Sequence, residues 1–524
     1  MKLDLTHLPD DVDLLHQLIA DLSNEVITLT DENTSLKAQL ALLKKQRYGS
    51  PSEKLDTAIA DLEARIEESE MSALSSVPSE PEEDRVDNGT TDTVKATPKR
   101  NPLPEHLVRD EVVLSPEPNC PSCGGDAFRK IEDDVTEMLD YQPPSFRVLR
   151  TIRPRCACTA CDNVIQAELP SYPISKGKAT ASLLAHLLVQ KYANHLPLYR
   201  QSEIYAREGI ELSRSTMAGW VGQCARLLQP LVDVLRQDVF ASDHLHGDDT
   251  TVRVLSPQIG KTKTGRMWVY VRDGRASGSD YPPAVCYYYS PDRKGIRPEG
   301  HLSDFKGVLH ADAYAGYNGV YHTEDNLKGT VTASSCWAHV RRKFYEVTVT
   351  TPNAGIAAEA VKQIAALYKI EKEIRGKDPV TRLAYRQEHA KEKVVEWFKW
   401  LLKCHDQLPK KSQTAKAIQY ALKLKTSLSI FLEDGAVEID NNIAERAMRP
   451  IAVGRKNWLF AGSDKGGESA ANIFSLIQTA ILNGVNPHAY LKKVLENIQD
   501  HNSQKLHELL PWNINLHITE KADH

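Results

Sequence analysis

Three acidic residues sit in settings where a carboxylate can do chemistry. Asp248 falls in "HGDDTTVRVL", Asp312 in "GVLHADAYAGY" and Glu445 in "IDNNIAERAMRP". Converging carboxylates hold divalent cations, and two such ions about 3.5–4 Å apart activate an attacking oxygen and stabilise a leaving oxygen in phosphoryl transfer. Mg²⁺ suits this work because it takes few carboxylates and fills its shell with water and substrate phosphate. Taken singly, each acid reads equally well as a surface residue; their combination with nearby cations argues for more. Arg446, Arg449, Arg455 and Lys456 follow Glu445, and "CWAHVRRKF" supplies His339, Arg342 and Lys343, all suited to phosphate contacts. A second donor set is sulfur. Cys120-x2-Cys123 and Cys158-x2-Cys161 form two knuckles, a spacing that aims paired thiolates at one tetrahedral Zn²⁺. Cys156 is a fifth thiol able to replace Cys158, and reduced structural cysteines are the plainer alternative.

The elements around the acids follow from pattern. Polar–apolar alternation predicts a strand through Asp248, and an apolar run predicts a second strand ending at Asp312. Around Glu445, Asp440 is a good N-cap and Pro450 a stop, so a helix of about ten residues is expected. Ile443, Ala444, Ala447 and Met448 share its apolar face, leaving Glu445 free to pair with Arg449 or to face a metal. Asn441 and Asn442 are available for ligand or DNA, and Trp458 is expected in the core. Strand Asp, strand-end Asp and helix Glu, in that order, is the arrangement of an RNase H-like nuclease core, an α/β fold. Asp249 is expected on the opposite face of its strand from Asp248.

At 524 residues, with 41% hydrophobic and 26% charged residues, the chain has the length of several domains and an ordinary soluble composition. A net charge of −5 excludes a uniformly basic nucleic-acid binder, but local patches matter more than totals for phosphate. No long apolar run or leader-like start stands out, which predicts a cytoplasmic protein without a membrane partner. Val12, Ile19, Val26, Asn33 and Leu40 alternate with Leu15, Leu22, Leu29, Leu36 and Leu43. β-Branched a positions, Leu at d and one polar a residue are the pattern of a parallel two-stranded coiled coil, here over residues 1–48. Residues 49–68 read as a helix and 69–105 as a flexible linker too poor in large apolar groups to order. Residues 106–170 form the cysteine module, whose "SFRVLRTIRPR" is read as strand, with Arg147, Arg150, Arg153 and Arg155 either facing nucleic acid or merely solvated. Residues 171–240 are helical, and "LYRQSEIYAREGIELSRSTMAGWV" resembles a helix-turn-helix broken at Gly209, with Ser213 or Ser215 as the candidate cap of its second helix and Arg214 as a candidate DNA contact. Five strand-like segments then run to about Tyr345, helices fill 346–432, and a helical tail follows the Glu445 segment.

Read together, "YGSPSEK", "CPSCGG…CTAC", "NHLPLYRQ", "LSRSTMAGWV", "GDDT", "ADAYAGY", "CWAHVRRKF", "IDNNIAERAMRP" and "GRKNWLF" resemble, in order and over nearly the whole chain, a DDE transposase of the insertion-sequence sixty-six family (the TnpC type). The family usually has Asp-Glu-Thr where this chain reads Asp248-Asp249-Thr250. The resemblance implies Asp248, Asp312 and Glu445 as the catalytic, Mg²⁺-binding triad, with two Mg²⁺ (or Mn²⁺) ions. It divides an RNase H-like core into 241–345 and 433–485, split by an all-helical insertion at 346–432 and followed by a tail at 486–524. Terminal inverted repeats and target DNA are the implied partners, alongside a second copy of the chain and accessory proteins of the same element. One structural Zn²⁺ is expected on Cys120, Cys123, Cys158 and Cys161. The reaction implied is Mg²⁺-dependent strand cleavage and transfer; the alternatives are a catalytically silent DNA-binding descendant and a simple metal-dependent nuclease.

Overall fold

A computed structural model describes residues 146–514, apart from 158–163, 169, 175–176, 257–260, 323–325, 327–328 and 352–354. The coiled coil, the linker and the cysteines at 120, 123, 158 and 161 therefore lie outside the described residues. The chain divides into two compact units at Glu168 and Leu169.

In the first unit, β1 (Arg155–Ala157) pairs antiparallel with β2 (Val164–Gln166), so that the hairpin brackets the second cysteine knuckle. Arg153 Nε donates to Ala167 O at 2.7 Å, and Gln166 Nε2 donates to Arg153 O at 2.9 Å. The strand expected through "SFRVLRTIRPR" is realised only at Arg155. Phe146–Pro154 has no regular structure, because no described segment offers its backbone a ladder.

The second unit opens with helices α1 (Ala181–Tyr192), α2 (Leu198–Arg207) and α3 (Arg214–Phe240). Gly209 makes the α2–α3 turn at φ 78°, where a side chain would strain. Ser213 caps α3 by accepting from Thr216 N at 3.1 Å. Then come β3 (His244–Ser256), β4 (Lys261–Arg272), β5 (Ala284–Ser290), α4 (Ile296–His301), β6 (Val308–Ala311) and β7 (Thr332–Ser335). They form one mixed sheet in the order β5-β4-β3-β6-β7, with β3, β4 and β5 antiparallel and β6 and β7 parallel to β3.

After α5 (Trp337–Thr350) come α6 (Gly355–Ile374), α7 (Pro379–His389), α8 (Lys391–Asp406), α9 (Gln413–Lys423) and α10 (Lys425–Ser429). The helical segment thus starts earlier than expected, since α5 already begins at Trp337 and Cys336 is its N-cap rather than a strand residue. These helices close around their own core, in which Trp337 meets Trp397 at 5.0 Å between ring centroids and donates from Nε1 to Leu428 O. The chain returns as α11 (Asn442–Trp458), α12 (Asp464–Leu482) and α13 (Pro487–Asn497). Among the described residues, no helix is long and apolar enough to cross a membrane.

Two devices join these parts. Helix α12 seals the sheet edge: Ser475 Oγ accepts from Tyr287 N, while Thr479 Oγ1 accepts from Val285 N and donates to Val285 O. Edge groups of β5 that could recruit another strand are thereby used up. The second device is ionic. Arg386, fully buried, grips Glu371 with Nε and Nη2 at 2.8 and 2.7 Å and donates from Nη1 to the carbonyls of Phe431 and Asp434. Arg382 Nη2 reaches Glu438 at 2.6 Å. Gly435 fits because a Cβ there would lie 1.8 Å from Pro379 O. Helices α6 and α7 thus hold the chain just ahead of Glu445.

Candidate active site

The register of the sheet aligns two of the acids. Strands β3 and β6 run parallel with His246 beside His310, so Asp248 and Asp312, each two residues further on, come level. Asp248 accepts a hydrogen bond from Asp249 N at 2.7 Å, and Asp312 accepts one from Tyr314 N at 3.1 Å.

Glu445 arrives from α11, which is fastened to the same strand. Asn441 is 1% exposed. It donates from Nδ2 to Gly247 O at 2.9 Å, pairs with His246 Nδ1 at 3.0 Å, and donates its backbone N–H to Cys336 Sγ at 3.2 Å. Expected to face ligand or DNA, Asn441 instead bolts the helix to β3. Asn442 is likewise engaged locally, donating from N and Nδ2 to Asp440.

The helix departs from the expectation of ten residues. It continues through Pro450 to Trp458. Proline removes one donor and bumps the preceding turn, but Arg455 donates to Thr250 Oγ1 at 2.9 Å and to Thr251 O at 3.2 Å, tying the far half to β3. Tertiary contact overrides local propensity. The buried face is Ala444, Met448, Ile451, Ala452 and Gly454, with Ile443 and Ala447 only half-buried. Trp458 is half-buried and lies back over Gly454.

The electrostatics are those of crowded acids. Burial, and then the carboxylates of Asp312, Asp249 and Glu445, push Asp248 up to about 8 against the pull of the Asp249 N–H. Each outer acid has a basic neighbour: the guanidinium of Arg293, whose Nη2 stands 3.8 Å from Asp312, and the imidazole of His339, whose Nε2 stands 3.7 Å from Glu445. Glu445 thus turns to His339, itself held below its ordinary pKa by burial. As the side chains stand, no three His, Cys, Asp or Glu among the described residues are gathered closely enough to hold a metal ion. The donor set nevertheless suits a hard divalent cation. Three carboxylates press on one another, and the basic groups nearest the outer two stand 3.8 and 3.7 Å away, far enough for an ion to take their place.

Asp249 points to different partners. Its carboxylate, 1% exposed, receives Arg293 Nη2 at 2.7 Å and Arg266 Nη1 at 3.0 Å. Neither arginine was among the residues singled out from the sequence. The signal was there: two adjacent aspartates on a central strand demand counter-charge, and "PDRKG" follows a strand paired to the same sheet. Arg293 also stacks over Tyr314, 3.9 Å from the ring centroid.

A family model described as "Transposase IS66 family" matches residues 176–469, the whole span that carries these acids. The chain belongs to the IS66 transposase family. Further models match on either side: "IS66 C-terminal element" at 475–512, "zinc-finger binding domain of transposase IS66" at 117–162, and "Transposase C of IS166 homeodomain" at 35–112. The zinc-finger match spans all four knuckle cysteines, and the last overlaps the end of the heptad repeat. Relatives in Sinorhizobium fredii include uncharacterized protein y4qI, 36% identical over 98% of this chain and 99% of the relative. Another is uncharacterized protein y4hP, 37% identical over 91% of this chain and 88% of the relative.

The remaining candidates of this IS66-family chain are spread out. Arg446, Arg449 and Lys456 are exposed along α11, whereas Arg455 is half-buried against β3. Arg342 and Lys343 are exposed on α5, and Arg214 is exposed at the first residue of α3. Arg147, Arg150 and Arg155 are exposed in the first unit, where Arg153 spends donors on Ala167 O. Helix α3 is longer than a recognition helix needs to be, and Met217, Trp220, Val221 and Cys224 bury one side of its first half.

Proposed function

We propose that this chain moves its element by cutting DNA at the terminal inverted repeats and joining the released 3′-hydroxyl to target DNA, with Asp248, Asp312 and Glu445 as the catalytic acids of an RNase H-like core. The observation that carries the proposal is the convergence of the three acids. The β3/β6 register brings Asp248 level with Asp312, and the Asn441 clamp brings Glu445 near enough to raise Asp248. The strand order, with the first three strands antiparallel and the next two parallel to the first, supports the RNase H-like reading.

A pair of Mg²⁺ ions, when bound, supplies activation of the attacking oxygen and stabilisation of the leaving one. The chain's own residues do the positioning. Asp248 offers a carboxylate from the rigid centre of the sheet; Asp312 and Glu445 offer theirs from a strand end and a first helical turn. Arg293 and His339 orient those two outer acids. Phosphates would be steered by Arg446, Arg449, Lys456, Arg342 and Lys343, with Arg455 stiffening the wall of the site. Arg214 and the arginines at 147, 150, 153 and 155 would serve the end-binding modules, with one Zn²⁺ on Cys120, Cys123, Cys158 and Cys161. The coiled coil would pair two chains, as joining two DNA ends requires.

The test is cleavage and joining of a labelled terminal repeat in Mg²⁺, beside a gel shift on the same DNA. Asp248→Asn, Asp312→Asn and Glu445→Gln are each expected to abolish both reactions while end-binding persists. Any of the three cutting at the wild-type rate would overturn the assignment. A wild type that cuts but never joins would be a nuclease, and one that binds without cutting would be an architectural protein.

A further inference from the structure

The C-terminal end of the helix carrying Glu445 finishes in an uncommon turn. Leu459 has φ 58° and ψ −44°, and Phe460 N donates to Trp458 O at 2.6 Å. This is the γ-turn of positive φ, the rarer and more strained of the two forms, and leucine gains none of the relief that glycine would. Both flanks lock it. Leu459 N still donates to Arg455 O, Ala461 N donates to Arg253 O at 2.8 Å, and Leu255 N donates to Ala461 O at 2.8 Å. Earlier on the helix, at Gly454, the chain meets His195, the other non-glycine residue with positive φ among those described, whose Nδ1 is 3.3 Å from where a Cβ of Gly454 would lie. Strain that persists under such constraint marks functional segments.

The turn drives two large apolar side chains into solvent, Leu459 at 62% exposure and Phe460 at 42%. Trp458, their neighbour, folds back over Gly454 instead. The surroundings are cationic: Lys456 on the helix, and Arg253 and Lys261 on the β3–β4 ribbon, are exposed. Lys263 on the same ribbon is held by Asp464 at 2.6 Å. An apolar tip with exposed basic residues on its own helix and on the strands beside it matches duplex DNA, whose phosphates meet the charges while a leucine or phenylalanine wedges between base pairs.

We propose that Leu459 and Phe460 are a wedge that unstacks a base step of the DNA about six base pairs from the scissile phosphate. The proposal rests on the DNA-cleaving function given above and adds to it a residue pair and a position. Leu459 lies roughly 20 Å along the helix from Glu445 at about 1.5 Å per residue. That distance corresponds to about six base pairs at about 3.4 Å each.

The experiment uses the full-length chain with duplexes of its element's own end, carrying 2-aminopurine in turn at each position within ten base pairs of the scissile phosphate. Ca²⁺ replaces Mg²⁺ for binding. Fluorescence is expected to rise at about five to seven base pairs from the cut, and Phe460→Ala and Leu459→Gly are expected to abolish the rise. On paired DNA, Phe460→Ala should cut at least tenfold more slowly and recover most of that rate when a mismatch is built in at the same step. A merely structural defect would not be rescued by the substrate. Leu459→Gly also removes the backbone strain, so its melting temperature serves as the folding control. A wild type that cuts with no fluorescence change, or variants with the wild-type fluorescence pattern, would overturn the wedge alone. Variants that shift the chain's sedimentation while fluorescence stays normal would assign the pair to contact with a second copy and also overturn it. A wild type that neither binds nor cuts its element's end would overturn the functional reading instead.

Discussion

Asp249→Asn separates the two neighbouring aspartates of β3. From the strand's alternation alone this change should be mild, since Asp249 faces away from Asp248. The structure reverses that expectation. The Asp249 carboxylate is 1% exposed and is the shared counter-ion of Arg266 and Arg293, whose side chains are 22% and 35% exposed. Breaking a buried pair costs about 3–5 kcal/mol. Both arginines keep some water, so the loss here is discounted to about 2 kcal/mol. That is about thirtyfold in an opening equilibrium. The two units need not unfold together, so the measurement is hydrogen exchange of β3 and β4 peptides. Their protection should fall about thirtyfold in Asp249→Asn and stay unchanged or rise in Asp248→Asn, which removes an acid that burial already disfavours. Cleavage should fall as well, because a released Arg293, already 3.8 Å from Asp312, can settle on that carboxylate. Protection within threefold of wild type together with normal cleavage would refute the role given to Asp249.

Other outcomes can be checked alongside. Purified protein should contain one zinc per chain by elemental analysis, and a metal-free chain still folded over residues 106–170 would defeat this. Asn33→Ile should raise the melting temperature of a peptide of residues 1–48 while loosening its oligomeric state, because the polar a residue costs stability and enforces two strands. A wild-type peptide that sediments as a monomer at tens of micromolar would count against it. His301 stacks on Tyr288 at 4.2 Å and is held down to about 3, first by burial. Its contribution to stability is therefore present above its unfolded value near 6.5 and is lost as pH falls toward 3. His301→Gln should remove on the order of a few kcal/mol of that acid sensitivity in denaturation curves taken between pH 7 and 4. Superimposable pH dependences would dismiss it.

Much of the sheet was legible because its strands carry their own signals. The five strand-like segments ahead of Tyr345 all contain strands, unlike "SFRVLRTIRPR", and Asp248 and Asp312 stand on or just beyond the ones expected. Gly209 likewise marked a turn by local chemistry, and of the two candidate caps, Ser213 and Ser215, the structure uses Ser213. What failed depended on distant partners. Pro450 looked like a stop because local rules cannot see Arg455 fastening the next two turns to Thr250 and Thr251. Asn441 looked available for ligand because a polar residue beside a candidate acid reads as solvent-facing; its partners lie on β3 and at Cys336, far off in sequence. The doubled aspartate signalled a need for counter-charge, but that Arg266 and Arg293 supply it together follows only from the one carboxylate they share.

The buried grip of Arg382 and Arg386 on Glu371, Glu438 and the carbonyls beyond Phe431 also bears on how copies of such a gene decay. On the proposed chemistry, helices α6 and α7 brace the segment leading to the last acid, in addition to the Asn441 clamp on β3. A copy that lost part of those helices in frame would keep all three acid codons, and the first two acids would still stand level on their strands. Its Glu445 helix would keep its ties to β3 through Asn441 and Arg455 but lose the brace ahead of it, and cleavage is expected to fall. Counting intact acid triads across a genome therefore overstates the number of working copies. Glu371, Arg382, Arg386 and Glu438 together form a second test, which a copy shortened in this way fails while its three acid codons stay intact.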